Sequence, residues 1–261
     1  MKPVTDSHMP TKKKTGSPAI RSKPKRNAST PIELASVFLE LKSTVMPTWN
    51  NEPGDYITPL TGNVCLQSDD DDGHTVVGII SAYAVHLGNA SDNGVAWFDV
   101  LDSYNADIAL YLDLFETDAS SYTDWVQSTH EPYSSDLLIL DRIRVEPQYR
   151  GKGYGLYAAQ LMIQSFGPPG GLAACVPAPY ELLQKHGLAS VEDAINLSRE
   201  ERLPEWQPAQ TKLRQLWSLL GFEPVPASDV FALSLSLRQP RMQDIIQKYF
   251  ERKTIPTSLL Q

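Results

Sequence analysis

The stretch from residue 137 to residue 166 constrains the fold of this chain more than any other. An apolar run, LLILDRIRV (137–145), leads through a proline into a turn with glycines at positions 151, 153 and 155. Apolar residues then recur at helical spacing until a glycine and two prolines interrupt them. The pattern therefore predicts a strand, a glycine-rich turn and a helix, in that order.

A turn of this kind can bind an anion. Its glycines carry no β-carbon, so successive backbone N–H groups can converge on a ligand at the positive end of the following helix. A pyrophosphate is the group that such a turn accommodates best. Lys152 adds a positive charge nearby, and Arg150 reaches either a phosphate or the carbonyl groups of the turn itself.

Two common phosphate-binding motifs do not fit this turn. A P-loop requires Ser or Thr directly after its Gly-Lys pair, whereas Gly153 and Tyr154 follow Lys152. A dinucleotide-binding fold places its glycines after the first strand of an alternating series, whereas this turn lies past the middle of the chain. Both interpretations are therefore rejected.

Hydrophobic spacing predicts the elements that precede the turn. Residues 30–41 (TPIELASVFLEL) predict a helix that Thr30 caps. The turn-forming stretches DDDDG and NASDNG separate the strands of a predicted antiparallel meander, at 63–67, 75–87 and 94–101. The acidic turn lacks the first and twelfth ligands of a calcium loop, so it predicts a hairpin tip and no metal site. A helix at 105–116 and a polar loop to residue 136 are predicted next.

Charge is unevenly distributed along the chain. The net charge is −8, yet the first 26 residues carry eight Lys or Arg and one acid. Because this segment has few large apolar groups, it is predicted to be disordered. Residues 1–29 are therefore assigned to a basic tail, 30–238 to one folded domain and 239–261 to a C-terminal helix and tail. The tail is interpreted as a solubilising leader, a nuclear address or an arm for nucleic acid.

Composition limits the classes of protein that fit. A hydrophobic content of 41% over 261 residues can form a core. No apolar run approaches the ~20 residues that cross a bilayer, and the N-terminus lacks the apolar middle of a secretion signal. We therefore expect a cytoplasmic protein without a membrane partner. Cys65 and Cys175 are expected to be buried thiols rather than disulfide or zinc ligands.

Around the glycine turn, the arrangement Val-x-Pro-x-Tyr-Arg-Gly-Lys-Gly-Tyr-Gly resembles the acyl-CoA-binding signature of the general N-acetyltransferase (GNAT) superfamily. The core of that signature falls on Arg150, Gly153 and Gly155. Further likeness is found downstream in the strand GGLAACVPAPY, the helix and Gly-Phe exit of LRQLWSLLGFEPV, and the last strand VFALSLSL. The resemblance covers about residues 32–238, and LLILDRIRVEPQYRGKGYGL also resembles an uncharacterised bacterial subgroup.

The resemblance implies an α+β (mixed α/β) fold, with a mostly antiparallel twisted sheet and a splayed strand pair flanked by helices. It implies an N-acetyltransferase that transfers an acetyl group from acetyl-CoA, as cosubstrate, to an amine-bearing acceptor. Acetyl-CoA would lie between the strand ending at Val145 and the strand 171–176. The implied binding residues are Ile143, Arg144, Val145, Arg150, Gly151, Lys152, Gly153, Tyr154 and Gly155.

Catalytic residues are less defined by the resemblance. Asp141 is the candidate base and is expected to share a strand face with Ile139, Ile143 and Val145, although a structural ion pair is the alternative. Trp217 stands where many members carry a tyrosine that protonates the thiolate. Tyr154 or Tyr180 would replace it, or water would suffice. His86 and His130 are expected to be surface or loop residues.

Two segments and two alternative functions remain open. Residues 190–206 predict a surface helix that either borders the acceptor cleft or decorates the fold, and 239–254 predict an amphipathic helix that packs on the core or on a second subunit. A monomer or a homodimer is expected. The alternatives to an active enzyme are a catalytically inactive CoA-binding protein and a nucleic-acid-associated regulator that uses the basic tail.

Overall fold

A seven-stranded sheet forms the centre of the described structure. Its strand order is β1-β2-β3-β4-β5-β7-β6, and every neighbouring pair is antiparallel except β4 and β5, which are parallel. The strands are β1 (Val37–Ser43), β2 (Ile57–Gln67), β3 (His74–Val85), β4 (Leu137–Val145), β5 (Leu172–Cys175), β6 (Glu223–Pro224) and β7 (Phe231–Ser234).

Helices occupy the connections and cover the sheet. Short 3-10 helices are found at Pro53–Tyr56, Leu110–Leu114 and Pro147–Tyr149. The α-helices are α1 (Leu87–Asp92), α2 (Trp97–Asp102), α3 (Ala106–Ala109), α4 (Asp124–His130), α5 (Tyr154–Phe166), α6 (Tyr180–His186), α7 (Val191–Arg199), α8 (Trp206–Leu219) and α9 (Met242–Thr254).

This computed structural model describes residues 37–43, 51–67, 73–200 and 202–254. All of them lie in one contact unit, Glu33–Gln261. The prediction of a mixed α/β fold with a mostly antiparallel sheet flanked by helices is confirmed. The predictions of a basic tail and of an acidic hairpin tip concern residues outside the described ones, although β2 and β3 do pair as the hairpin that such a tip would join.

The helix predicted at 30–41 is wrong where it can be compared. Residues from Val37 onward form β1, which pairs antiparallel with β2 from Val37 opposite Leu66 to Ser43 opposite Leu60. The segment VFLELKS satisfies both helical and alternating spacing, because Val37, Leu39 and Leu41 also lie two residues apart. The open edge of β2 decides between the two, since pairing there satisfies the backbone of both strands.

The third meander strand, predicted at 94–101, is also wrong. That segment forms α2, and the preceding NASDNG turn forms most of α1. A strand that followed β3 directly in a meander would have to pair with a free edge of β3. Both edges of β3 are already occupied, one by β2 and the other by β4. The chain instead folds back over the sheet, and the Trp97 indole N–H donates to Leu87 O at 3.2 Å. The polar loop predicted to residue 136 contains a short helix, α4.

The predictions around and after the glycine turn are confirmed as elements. They are the strand β4, the turn, the helix α5, the strand β5, the surface helix α7 with its Ser190 cap, the helix α8, the strand β7 and the terminal helix α9. Helix α9 packs on the body of the chain, because its Ile245 side chain is fully buried. Cys65 and Cys175 are buried, as expected, and each has a free thiol.

The core lies on both faces of the central strands. Leu137 and Ile139 of β4 belong to a large apolar cluster on one face, together with residues of β5, α1–α4 and α7. Leu138 and Leu140 point the other way and are equally buried, and α5 packs against β1, β3 and β4. Among the described residues, no helix is both long enough and apolar enough to cross a membrane.

Candidate functional site

A cleft opens where the two parallel strands separate. Strand β5 pairs with β4 only from Leu137 to Ile139, opposite Leu172 to Ala174, while β4 continues to Val145. The backbone of β4 beyond Ile139 therefore has β3 on one side and an opening on the other. The opening has a volume of about 500 Å³ and is lined by β4, the glycine turn, α5, the chain after β5, α6 and α8.

A β-bulge in β4 lies beside this cleft. Ser81 of β3 is opposite Arg142 and Ala82 is opposite Leu140, so Asp141 has no residue opposite it. A bulge of this kind re-aims side chains, because the alternation of faces restarts after the extra residue. Asp141 and Arg142, although adjacent in sequence, both contact Tyr180 as a result.

The bulge corrects one expectation about Asp141. Ile143 and Val145 do not share its face. A β-carbon at Gly155 in the first turn of α5 would lie 3.6 Å from a methyl carbon of each. Those two side chains therefore point at α5, whereas Asp141 points toward Tyr180 on the opposite side of β4. Simple alternation cannot foresee a bulge, because nothing in LLILDRIRV marks the extra residue.

Asp141 accepts two hydrogen bonds from hydroxyl groups. Ser81 Oγ donates to one carboxylate oxygen at 2.7 Å, and Tyr180 Oη donates to the other at 3.0 Å. The alternative, a structural ion pair of Asp141, is not found among the residues that the structure describes. The Arg142 guanidinium lies over the Tyr180 ring, 4.2 Å from its centroid. Asp141, Tyr180 and Arg142 line the cleft, and Ser81 contacts Asp141 from β3. These four side chains form one polar group.

Burial governs the titration of the tyrosines and acids near Asp141. Burial first, and then the Asp141 carboxylate, raises the pKa of Tyr180, so its hydroxyl remains a hydrogen-bond donor at neutral pH. The same two causes raise the pKa of Tyr83 to about 12. Burial also raises the pKa of Asp107, whose carboxylate accepts a hydrogen bond from the Val191 N–H at 2.8 Å. This side of the cleft is therefore rich in hydroxyl donors and acidic groups.

The glycine turn adopts a backbone that favours glycine at two of its three positions. Gly151 has φ +75° and Gly153 has φ +87°, both in the left-handed region. The first helical bond of α5 runs from the Tyr157 N–H to Gly153 O at 3.1 Å. The N–H groups of Tyr154, Gly155 and Leu156 precede that bond, so they have no acceptor within the helix. These groups lie at the positive end of α5, beside the cleft.

Helix α9 borders the turn. A β-carbon at Gly153 would lie 2.9 Å from Ile246 Cδ1 and 3.8 Å from a ring carbon of Tyr249. Tyr249 also lines the cleft. Gly153 is consequently buried beneath α9, while Gly151 and Lys152 on the outer side of the turn are exposed. Sequence reasoning missed this contribution of α9, because the amphipathic pattern of the helix does not say which surface it covers.

Arg150 links the glycine turn to the end of β4 and to α6. Its Nε donates to Val145 O at 2.8 Å, and its guanidinium forms an ion pair with Glu181 of α6 at 2.5 Å. The carbonyl that this arginine holds is that of Val145, the last residue of β4, rather than one within the turn. Lys152 extends to solvent over the ring of Tyr149, at 5.5 Å from its centroid. The turn, the end of β4 and the start of α6 are thereby tied together.

The cleft brings most of the predicted site residues together, with Lys152 as the exception. Trp217 of α8 lies in the wall and packs edge-on against Phe222, at 5.2 Å between ring centroids. Tyr154 is buried at the start of α5, and burial raises its pKa. The predicted residues that line the cleft are Asp141, Ile143, Arg144, Val145, Arg150, Gly151, Gly153, Tyr154 and Gly155.

The two histidines lie outside this cleft. His86 is half-buried and precedes α1. The expectation of a surface or loop position is wrong for His130, which ends α4, is 3% exposed and packs edge-on against Trp125. Burial lowers its pKa. The polar residues on either side of His130 in the sequence do not indicate this burial. His130 is buried because β7 covers it, and Ser234 Oγ of β7 donates a hydrogen bond to its backbone carbonyl at 2.6 Å.

No protein-family model matches the chain, and no significant match is found among curated proteins or among solved structures.

Proposed function

We propose that this chain is an acyl-CoA-dependent N-acyltransferase of the GNAT superfamily, which transfers an acetyl group from acetyl-CoA to an amine. The observation that carries the proposal is the cleft between β4 and β5. It opens where two parallel strands part, with the start of α5 at one side and the Asp141 carboxylate at the other. Its volume is in the range of small-molecule sites.

The strand β4 and the turn would hold the cosubstrate. An extended chain of amide groups, such as pantetheine, can hydrogen-bond with the edge of β4 that β5 leaves uncovered beyond Ile139. A pyrophosphate fits the start of α5, where the helical dipole is positive and backbone N–H groups precede the first helical bond. Because Arg150 is engaged with Val145 and Glu181, backbone groups rather than this guanidinium would make the direct contacts.

Acetyl-CoA, when bound, supplies an acyl carbon joined to a good leaving group. In the transfer, the amine nitrogen forms a bond to that carbon, the carbon–sulfur bond breaks, and the sulfur leaves with the electron pair. The protein then has to hold the two reactants in line and to remove one proton from the amine.

Asp141 would receive that proton, directly or through a water molecule. Ser81 and Tyr180 each donate a hydrogen bond to its carboxylate, which fixes its orientation. Arg142 stacks on Tyr180 and so restrains the same tyrosine. In this arrangement Ser81, Tyr180 and Arg142 act as positioning residues, and Asp141 is the catalytic residue.

A dedicated acid for the leaving thiolate is not required. A thiol has an ordinary pKa of about 8.5, so the thiolate departs readily and water can protonate it afterwards. An indole cannot supply a proton at neutral pH. Because no such proton donor is needed, Trp217 can occupy the wall position where many members carry a tyrosine. Tyr154, the candidate acid that is also among the implied cosubstrate-binding residues, is buried at the start of α5 beside the cleft.

The proposal is tested with the full-length chain in two measurements. Calorimetric titration with acetyl-CoA is expected to show one site per chain, and a thiol-release assay with a varied panel of amines is expected to identify an acceptor. Binding without release over the whole panel would instead support a catalytically inactive CoA-binding protein. Absence of acetyl-CoA binding would overturn both forms of the proposal.

A further inference from the structure

Three metal-ligating side chains meet on the first three strands of the sheet, and none of them lines the cleft. Glu40 lies on β1, Cys65 on β2 and His74 at the start of β3. A carboxylate oxygen, the Cys65 sulfur and an imidazole nitrogen all lie within 4.8 Å of one another. We propose that these three side chains bind a zinc ion, with a water molecule as the fourth ligand.

The strand register explains why the three residues meet. Phe38 is opposite Cys65 and Glu40 is opposite Asn63, so Glu40 and Cys65 are diagonal neighbours on one face. Val76 is opposite Cys65, and His74 lies two residues before Val76 and therefore on the same side. Three neighbouring strands thus each supply one donor, which is why no compact ligand motif appears in the sequence.

The donor set fits zinc better than other common cations. Thiolate, imidazole and carboxylate are the three protein ligands that zinc takes, whereas magnesium and calcium prefer oxygen alone. Tetrahedral zinc with bonds of about 2.0–2.3 Å places its ligands roughly 3.3–3.7 Å apart, so the donors must approach by about 1 Å. Glu40 and His74 are exposed and can make that movement, while the buried Cys65 stays in place.

Neighbouring side chains already orient two of the donors. Asn63 Nδ2 donates to one carboxylate oxygen of Glu40 at 2.9 Å, which leaves the other oxygen for an ion. The Phe38 ring contacts the His74 imidazole edge-on, at 5.4 Å between centroids. Outer contacts of this kind fix ligand orientation in metal sites. Solvent reaches the cluster on the exposed side of Glu40 and His74, so a water molecule can complete the coordination.

Electrostatics around the cluster favour a cation. The Glu40 carboxylate carries a negative charge close to the Cys65 sulfur, and a bound divalent cation would neutralise that charge and stabilise the thiolate.

The test uses cobalt as a spectroscopic probe on the full-length, chelator-treated protein. Cobalt is expected to give the near-ultraviolet thiolate charge-transfer band and the visible bands of a tetrahedral site, and zinc is expected to displace it. Cys65→Ser is expected to abolish the charge-transfer band, and Glu40→Gln and His74→Asn to weaken zinc binding by about 10- to 100-fold. Both of the latter change exposed side chains, so they should leave folding intact.

A matched control separates this site from adventitious binding. His186→Ala removes another histidine, which ends α6 and pairs with Glu205, the residue before α8. Because His186 does not belong to the Glu40–Cys65–His74 cluster, this variant should leave the cobalt spectrum unchanged. A charge-transfer band that persists in Cys65→Ser, or zinc affinity that is unaltered in both exposed variants, would overturn the proposal. So would a wild-type protein that binds neither metal. None of these results depends on acetyl-CoA.

Discussion

Replacing Gly153 by valine tests the role of the glycine turn. Gly153 has φ +87°, where an L-residue costs about 1–2 kcal/mol and a β-branched one is a clear outlier. Its β-carbon would also lie 2.9 Å from Ile246 Cδ1. Valine cannot occupy this conformation without moving the turn, so the N–H groups at the start of α5 should turn away from their present directions.

The expected loss of acetyl-CoA affinity follows from those N–H groups. A hydrogen bond to a charged group contributes about 1.5–3 kcal/mol, so losing one corresponds to a rise in Kd of roughly 10- to 150-fold. A backbone strain of about 1–2 kcal/mol in a folded unit of this size should also lower Tm by about 2–8 °C. Calorimetric titration measures the first effect, and thermal unfolding followed by circular dichroism measures the second.

Gly187→Val provides the matched control. Gly187 also has a positive φ, +64°, at the end of α6, and a β-carbon there would meet nothing within 4 Å. This variant should lose a similar amount of stability and keep its affinity for acetyl-CoA. If Gly153→Val lowers Tm but binds acetyl-CoA as tightly as the wild type, the turn is not the anion site and the reasoning fails.

Three further predictions concern activity, packing and pH. Asp141→Asn should reduce thiol release by about 10²- to 10⁴-fold with little change in acetyl-CoA affinity, and equal loss of both would contradict a role as the base. Ile245→Ala should lower the free energy of unfolding by about 2–4 kcal/mol in urea titrations, because the side chain is fully buried; a loss below the error of that titration would show that α9 is not docked. Burial lowers the pKa of His130 in the folded state, so the unfolded chain binds more protons and stability should fall as the pH drops below about 6.5. Urea titrations at several pH values check the sign, and His130→Gln should flatten the part of the slope that this residue causes.

The elements around the glycine turn could be predicted from sequence because their signals are local. The apolar run of β4, the glycines of the turn and the helical spacing of α5 lie within thirty residues. The two left-handed glycines are likewise a local requirement, since the backbone conformation itself excludes most other residues. These features therefore do not depend on contacts with the rest of the chain.

The predictions that are wrong concern segments whose conformation depends on contacts with distant parts of the chain. Residues 37–43 fit a helix and a strand about equally well, and the edge of β2 selected the strand. Residues 94–101 are predicted as a strand, but β3 has no free edge to pair with them, and residues 97–102 form α2. His130 sits in a polar sequence and is nevertheless buried. In each case the deciding contact lies far away along the chain.

By itself, the sequence determined the mixed α/β composition, the hairpin of β2 and β3, and the succession of a strand, a glycine turn and a helix. The tertiary structure alone decided that β5 leaves β4 after three residues, that a bulge turns Asp141 and Arg142 toward Tyr180, and that α9 lies against Gly153. The physical reason is that backbone preferences act over a few neighbouring residues, whereas register, strand separation and helix docking depend on contacts between distant segments.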